Sequence, residues 1–103
     1  MTNFSDMLSK AKAMQDKMKE AQEKIKNIEV EGFGGGNLVK VILTGDYELK
    51  SIIISEEAKK EDQEIINDLI VAAYNNAKEN LKKKSAEELS KVTGGLNLPA
   101  DFK

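Results

Sequence analysis

Lysines that recur every seven residues are the side chains of this sequence best suited to binding chemistry. Lys10, Lys17 and Lys24 form one series near the start of the chain, and a second series begins at Lys12. On a helix, a seven-residue interval keeps each series on one stripe. An ammonium group on a flexible stem suits contact with phosphate oxygens. The full set of candidate phosphate-contacting residues is Lys10, Lys12, Lys17, Lys19, Lys24, Lys82, Lys83 and Lys84.

A second interpretation of the same lysines remains open. Lysines beside an apolar helix seam often form a solubilising surface, here with ion pairs to Asp16, Glu20 and Glu23. The net charge of −2 also speaks against a nucleic-acid ligand. Positive charge nevertheless collects at the two ends of the chain and negative charge in the middle, so the distribution still allows basic surfaces.

Several residue types are missing, and their absence narrows the chemistry. The chain has no cysteine and no histidine, which removes a thiolate nucleophile, the commonest general base and the usual metal ligands. We therefore expect no catalytic residues, no metal, no cofactor and no small-molecule substrate. Arginine is absent as well, so any contact with nucleic acid should follow the phosphate backbone, with weak sequence preference and strong dependence on salt.

Two further stretches could suggest a ligand site. The glycines of segment 32–36 lack the Lys-Ser/Thr of a phosphate loop and precede a strand, so they indicate a hairpin turn. The acidic run 56–64 lacks the ligand spacing and turn glycine of a calcium loop. It is better interpreted as a connection that leads into a helix, because acidic residues complement the dipole there.

The lysine series requires a long helix to carry it. Apolar residues from Phe4 to Ile28 follow one another at alternating steps of three and four, which predicts a helix over residues 4–28 with an unbroken heptad seam. Such a seam favours a partner helix along its whole length. The alternative is an ordinary amphipathic helix that packs on its own domain.

The middle of the chain predicts three short strands at 28–33, 38–43 and 47–54, joined by turns into an antiparallel meander. Apolar residues occupy both faces of the second and third strands. A sheet with one face in water should not have this pattern, so the second face should meet another helix or a second subunit. The predicted dimer-interface residues are Leu38, Ile42, Ile52 and Ile54.

The last part of the chain predicts a helix over 61–92, which Gly94–Gly95 terminates, and a tail over 94–103. The fold class is therefore α+β: a long N-terminal helix, a three-stranded antiparallel meander and a long C-terminal helix in a single domain over 1–103. Helices of this length overhang strands of six to eight residues. Projecting arms or intersubunit packing should follow. With neither signal peptide nor apolar span, we expect a cytoplasmic protein without a membrane partner.

Three segments that follow the Met- and Lys-rich first helix carry a family resemblance. They are GNLVKVILTG at 36–45, DLIVAAYNNAKE at 68–79 and VTGGLNLPADF at 92–102. Together they resemble the YbaB/EbfC family of bacterial nucleoid-associated DNA-binding proteins. The chain departs from that family at Ser55-Glu56, where members often have Asp-Pro, and at Asn76, which is often Asp.

The resemblance implies a homodimer whose paired helices project like tweezers and contact DNA. By position, it implies contacts from the first-helix lysines and from the cluster Lys82–Lys84. The leading hypothesis is a homodimer at the nucleoid that binds double-stranded DNA with low sequence specificity and affects nucleoid organisation and gene expression. The alternative is a protein-interaction or chaperone-like helical module without DNA binding.

Overall fold

The computed structural model describes residues 3–93, and within this range it confirms the predicted α+β class. The predicted tail 94–103 lies outside the described residues. The elements in chain order are helix α1 (Phe4–Lys26), strands β1 (Glu29–Gly34), β2 (Val39–Thr44) and β3 (Leu49–Ile54), helix α2 (Glu56–Lys59) and helix α3 (Gln63–Thr93).

Helix α1 begins where the sequence predicts and ends two residues earlier. The Asn3 side chain accepts a hydrogen bond of 3.1 Å from the amide of Ser5 and so caps the first turn. The helix stops at Lys26, and Asn27 is its C-terminal cap. Ile28 packs against the core of the sheet instead of extending the apolar seam. The predicted boundary was therefore too late because an apolar residue continued the spacing after the helix had ended.

The three strands form one antiparallel sheet in the order β1-β2-β3, as a meander requires. Val39, Val41 and Leu43 alternate along β2 and are fully buried, whereas the residues between them are half-buried. This alternation gives the sheet a core face, covered by α3, and an open face.

Strand β3 starts at Leu49, and the predicted start at Tyr47 was wrong. Tyr47 has a φ of 64°, which lies in the left-handed region and cannot continue an extended strand. Its amide donates to the carbonyl of Thr44, and the Thr44 hydroxyl accepts from Asp46 and Glu48. Tyr47 thus belongs to the turn.

The acidic run contributes to two helices. The Ser55 hydroxyl accepts a hydrogen bond of 3.1 Å from the amide of Ala58 and caps the short helix α2. Lys60 ends α2. Helix α3 then starts at Gln63, two residues after the predicted start, and continues to Thr93.

Helix α3 lies unusually close to β1, because small residues meet on both sides. A Cβ atom at Gly32 would overlap backbone atoms of Ala73 and Ala77, and one at Gly34 would overlap the carbonyl oxygen of Leu69. Ala73 and Ala77 are fully buried in this contact. Only glycines in β1 allow the helix to approach to this distance.

Two asparagines of α3 complete the outer edge of the sheet. The Asn76 carbonyl oxygen accepts a hydrogen bond of 2.8 Å from the Phe33 amide. The Asn80 side-chain amide donates one of 2.9 Å to the Glu31 carbonyl oxygen. Both bonds satisfy backbone groups of β1 that point away from β2.

The two long helices make the molecule elongated, with extents of 72 × 26 × 16 Å. Strands of six residues span about 20 Å, while α3 spans about 46 Å, so the predicted overhang is present. Helix α1 packs against α3, which buries Ala21 on the α1 seam. Farther along the seam towards its start, Phe4, Met7 and Met14 remain exposed. Within residues 3–93, the heptad seam therefore finds a partner along only part of its length.

Candidate nucleic-acid interface

The five candidate lysines of α1 are all exposed, but they occupy two different stripes. Lys17 and Lys24 line a groove of about 160 Å³ between α1 and α3. Lys10 continues their stripe at the seven-residue interval. Lys12 and Lys19 do not line this groove and belong to the second stripe. The seven-residue spacing thus arranges the lysines of each series as the sequence predicts.

The groove between the two helices contains charge of both signs. Opposite Lys17 and Lys24, helix α3 contributes Glu88 and Lys91, which form an ion pair of 3.1 Å. The Glu88 side chain is only 18% exposed, so this acid lies towards the floor of the groove. Lys91 is a basic residue that the sequence analysis missed. Its position seven residues after Lys84 was the available signal.

The cluster Lys82–Lys84 does not act as one surface. Lys83 and Lys84 line a cleft of about 730 Å³ between α3 and β1, together with Glu29, Glu31 and Glu87. Lys82 is exposed but does not line that cleft. Consecutive helix residues are about 100° apart around the axis, so adjacent lysines cannot share one direction. Phosphate approaching Lys83 and Lys84 would meet carboxylates, whereas Lys82 is free of that constraint.

None of the eight candidate lysines takes part in an ion pair described within residues 3–93. The ion pairs of this range involve other lysines: Lys40–Glu31, Lys50–Glu29, Lys59–Glu56 and Lys91–Glu88. The pairs expected from the solubilising interpretation, to Asp16, Glu20 and Glu23, are not among them. The candidate ammonium groups are therefore open to an external anion.

The acidic segment lies at the opposite end of α3 from the basic one. Helix α3 starts at Gln63, beside α2, and about 30 Å of helix separates that start from Lys82. A duplex lying along the projecting half of α3 would therefore be remote from the acids of α2. The fold separates the two signs of charge that the sequence places in different segments.

The four residues predicted for a dimer interface do not share one surface. Leu38 and Ile54 pack against the core of their own chain and are half-buried. Ile42 is half-buried on the open face, where its partner in β1 is Glu31. Ile52 pairs with the buried Val41, and directly paired residues share a face. Ile52 is thus on the core face, yet it is 42% exposed.

Other kinds of site find no support in the part of the chain that the structure describes. Among residues 3–93, no three or more acidic, histidine or cysteine side chains are grouped so that they could hold a metal ion. No helix in that range combines the length and apolar character needed to cross a membrane.

Known proteins resemble this chain over nearly its whole length. A model of the YbaB/EbfC DNA-binding family matches residues 1–96. A nucleoid-associated protein of Granulibacter bethesdensis is 43% identical, with 100% of this chain and 97% of that protein aligned. One of Rickettsia typhi is 42% identical over the same shares. The crystal structure of an uncharacterized Helicobacter pylori protein has a TM-score of 0.71 at 20% identity, covering 91% of this chain and 100% of that chain. This last likeness concerns the fold alone.

Proposed function

Because the chain belongs to the YbaB/EbfC DNA-binding family, we propose that it is a non-enzymatic homodimer that binds double-stranded DNA at the nucleoid, in the cytoplasm. Binding has low sequence specificity and influences nucleoid organisation and gene expression. The observation that carries the proposal is the set of exposed lysines, without described ion pairs, on two helices that project beyond the sheet.

The residue types support contact with the DNA backbone. Lysine ammonium groups bind phosphates as point charges and read little of the base sequence. The chain has no arginine, the residue that most often reads guanine in the major groove. Lys12, Lys19 and Lys82 are the exposed candidates that line neither the groove nor the cleft. We expect them to make the least obstructed phosphate contacts.

The exposed part of the core face supports a homodimer. Helix α3 packs against β1 and β2, whereas Ile52 and Leu49 of β3 remain 42% and 45% exposed. β3 is also an edge strand, whose outward backbone groups can pair with another chain. We place the centre of the dimer interface at Ile52. The contributions of Leu38, Ile42 and Ile54 remain predictions.

Fluorescence anisotropy with two unrelated DNA duplexes, measured across a series of salt concentrations, tests the proposal. Log affinity should fall linearly with log salt with a slope of about −0.9 per phosphate neutralised, or roughly −4 to −7 for four to eight contacts. The two duplexes should bind about equally.

Three triple variants give this titration its controls. Changing Lys10, Lys17 and Lys24 to Ala, or Lys82, Lys83 and Lys84 to Ala, should weaken binding to both duplexes and make the slope shallower. Changing Lys50, Lys59 and Lys60 to Ala removes the same charge from β3 and α2 and should have much less effect.

One observation favours the alternative of a chaperone-like module. Phe4, Met7 and Leu8 of α1 are 71%, 56% and 57% exposed, and a holdase needs apolar surfaces of this kind. If both helix variants keep their affinity and slope while the dimer stays intact, the DNA proposal is wrong. Suppression of aggregation of an unfolded model protein, lost on changing Phe4 and Met7 to Ser, would then support the alternative.

A further inference from the structure

The first half of α1 carries an apolar seam that nothing within residues 3–93 covers. Phe4, Met7 and Met14 are 71%, 56% and 39% exposed, although their spacing continues the seam that buries Ala21. The reason is geometric. Val92, in the last turn of α3, lines the groove beside Lys17 and Ala21, so α3 stops there while α1 continues for more than a dozen residues.

We propose that the segment that follows α3, residues 94–103, packs along this exposed seam of its own chain. Its sequence is GGLNLPADFK. The two glycines allow the chain to leave the helix direction, and Pro99 disfavours a helical continuation. Three apolar side chains, Leu96, Leu98 and Phe102, are then available for the seam.

The length of the segment matches the distance that it must cover. From the level of Ala21 to Phe4, seventeen residues of helix span about 25 Å. Nine extended residues, 94–102, reach about 30 Å. The segment starts at the groove and α1 runs from there towards its own start, so Leu96, Leu98 and Phe102 can meet Met14, Met7 and Phe4 in that order.

Tethering favours this occupant over a second copy of the chain. A short flexible connection gives an effective concentration on the order of millimolar, whereas a second copy competes at the micromolar concentration of the protein. Covalent continuity therefore favours the segment by about a thousandfold before any contact is compared. The inference does not depend on DNA binding, because it concerns only apolar residues of the projecting helix.

The seam also flanks lysines that we assign to DNA contact. Lys10 and Lys17 lie on the stripe beside it. A segment packed on the seam would cover the apolar side chains between these lysines and leave their ammonium groups in water. It would thereby remove the surface on which a chaperone-like activity depends.

Paramagnetic relaxation enhancement tests the proposal directly. The chain has no cysteine, so a spin label attached through Lys103→Cys is unique. In the full-length ¹⁵N-labelled protein, amide signals of residues 4–8 should broaden strongly, while those of α2 should not. Absence of broadening along α1 would overturn the proposal. Mixing ¹⁵N protein that lacks the label with labelled ¹⁴N protein separates the two possible origins, and broadening of equal strength in that mixture would also overturn it, because the segment would then come from a second copy.

Hydrogen exchange provides an independent measurement. Changing Leu96, Leu98 and Phe102 to Ser should speed amide exchange in residues 8–14 about tenfold, because local opening no longer breaks apolar contacts. Exchange near Ala21, where α3 covers the seam, should be unchanged. The matched control changes Asn97 and Asp101 to Ser and should leave both regions as in the parent protein. Equal exchange in the apolar variant and the control would contradict the inference.

Discussion

The side-chain oxygen of Asn76 accepts a hydrogen bond of 2.8 Å from the backbone amide of Phe33, a residue forty-three positions earlier in the chain. Together with the bond from Asn80 to the Glu31 carbonyl oxygen, it closes the outer edge of β1. An unpaired strand edge is a template for association with other chains. The helix therefore protects one edge of the sheet, and β3 carries the other edge, where we place the dimer interface.

Asn76→Ala should destabilise the protein by about 1–3 kcal/mol, because the Phe33 amide loses its acceptor next to the packed helix. Asn76→Asp keeps an acceptor and should retain most of the stability. Urea unfolding followed by circular dichroism measures both. Asn75→Ala is the matched control, since that exposed neighbour has no hydrogen bond described within residues 3–93. Equal losses at positions 75 and 76 would show that the bond contributes nothing.

Gly32→Ala should cost about 3 kcal/mol or more, because the new methyl group would overlap the backbone of α3 at Ala73 and Ala77. Gly36→Ala is the control, because a Cβ there meets nothing within 4 Å. Gly36 has a φ of 71°, so this variant should show only the local backbone cost of about 1–2 kcal/mol. Thermal unfolding of both variants separates the two effects, and a smaller loss at Gly32 than at Gly36 would contradict the close packing.

Ile52→Glu should convert a dimer to monomers, because it buries a carboxylate from each copy in the proposed interface. Light scattering at micromolar concentration should return about twice 11.4 kDa for the parent protein and about 11.4 kDa for the variant. Ile53→Glu is the matched control. Ile53 is 48% exposed, but it pairs with Lys40 and lies on the open face. A parent protein that is monomeric with full helicity would refute the dimer, and dissociation by Ile53→Glu alone would place the interface on the open face.

Lys82→Ala should reduce the salt slope of DNA binding more than Lys83→Ala does. Each lost phosphate contact changes the slope by about 0.9, so two copies of Lys82 in a dimer account for about 1.8. Lys83 faces the carboxylates of Glu29, Glu31 and Glu87 in its cleft, which offset its attraction for phosphate. Anisotropy titrations at several salt concentrations measure both slopes. A larger change from Lys83→Ala would mean that DNA enters the cleft.

The sequence alone predicted the class and order of the main elements. Hydrophobic spacing distinguishes helix from strand within a short window, so α1, α3 and the three strands were placed to within two residues at most of their ends. Errors occurred where apolar spacing continued after the element had ended, as at Ile28, or where a turn contained a residue with positive φ, as at Tyr47. The lysine stripes were also predictable, since they depend only on helix geometry.

Only the tertiary structure decided which of these residues share a surface. It divided Lys82 from Lys83 and Lys84, because the strand that supplies the carboxylates of their cleft is about fifty residues away in sequence. It also assigned Asn76 and Asn80 to the β1 edge and left Ile52 exposed on the core face. Local patterns record how each segment contacts water, whereas these relationships depend on the side chains that distant segments present after the chain has folded. For that reason composition and spacing determined the chemistry available to this protein, and the packing of α3 against β1 determined where that chemistry can act.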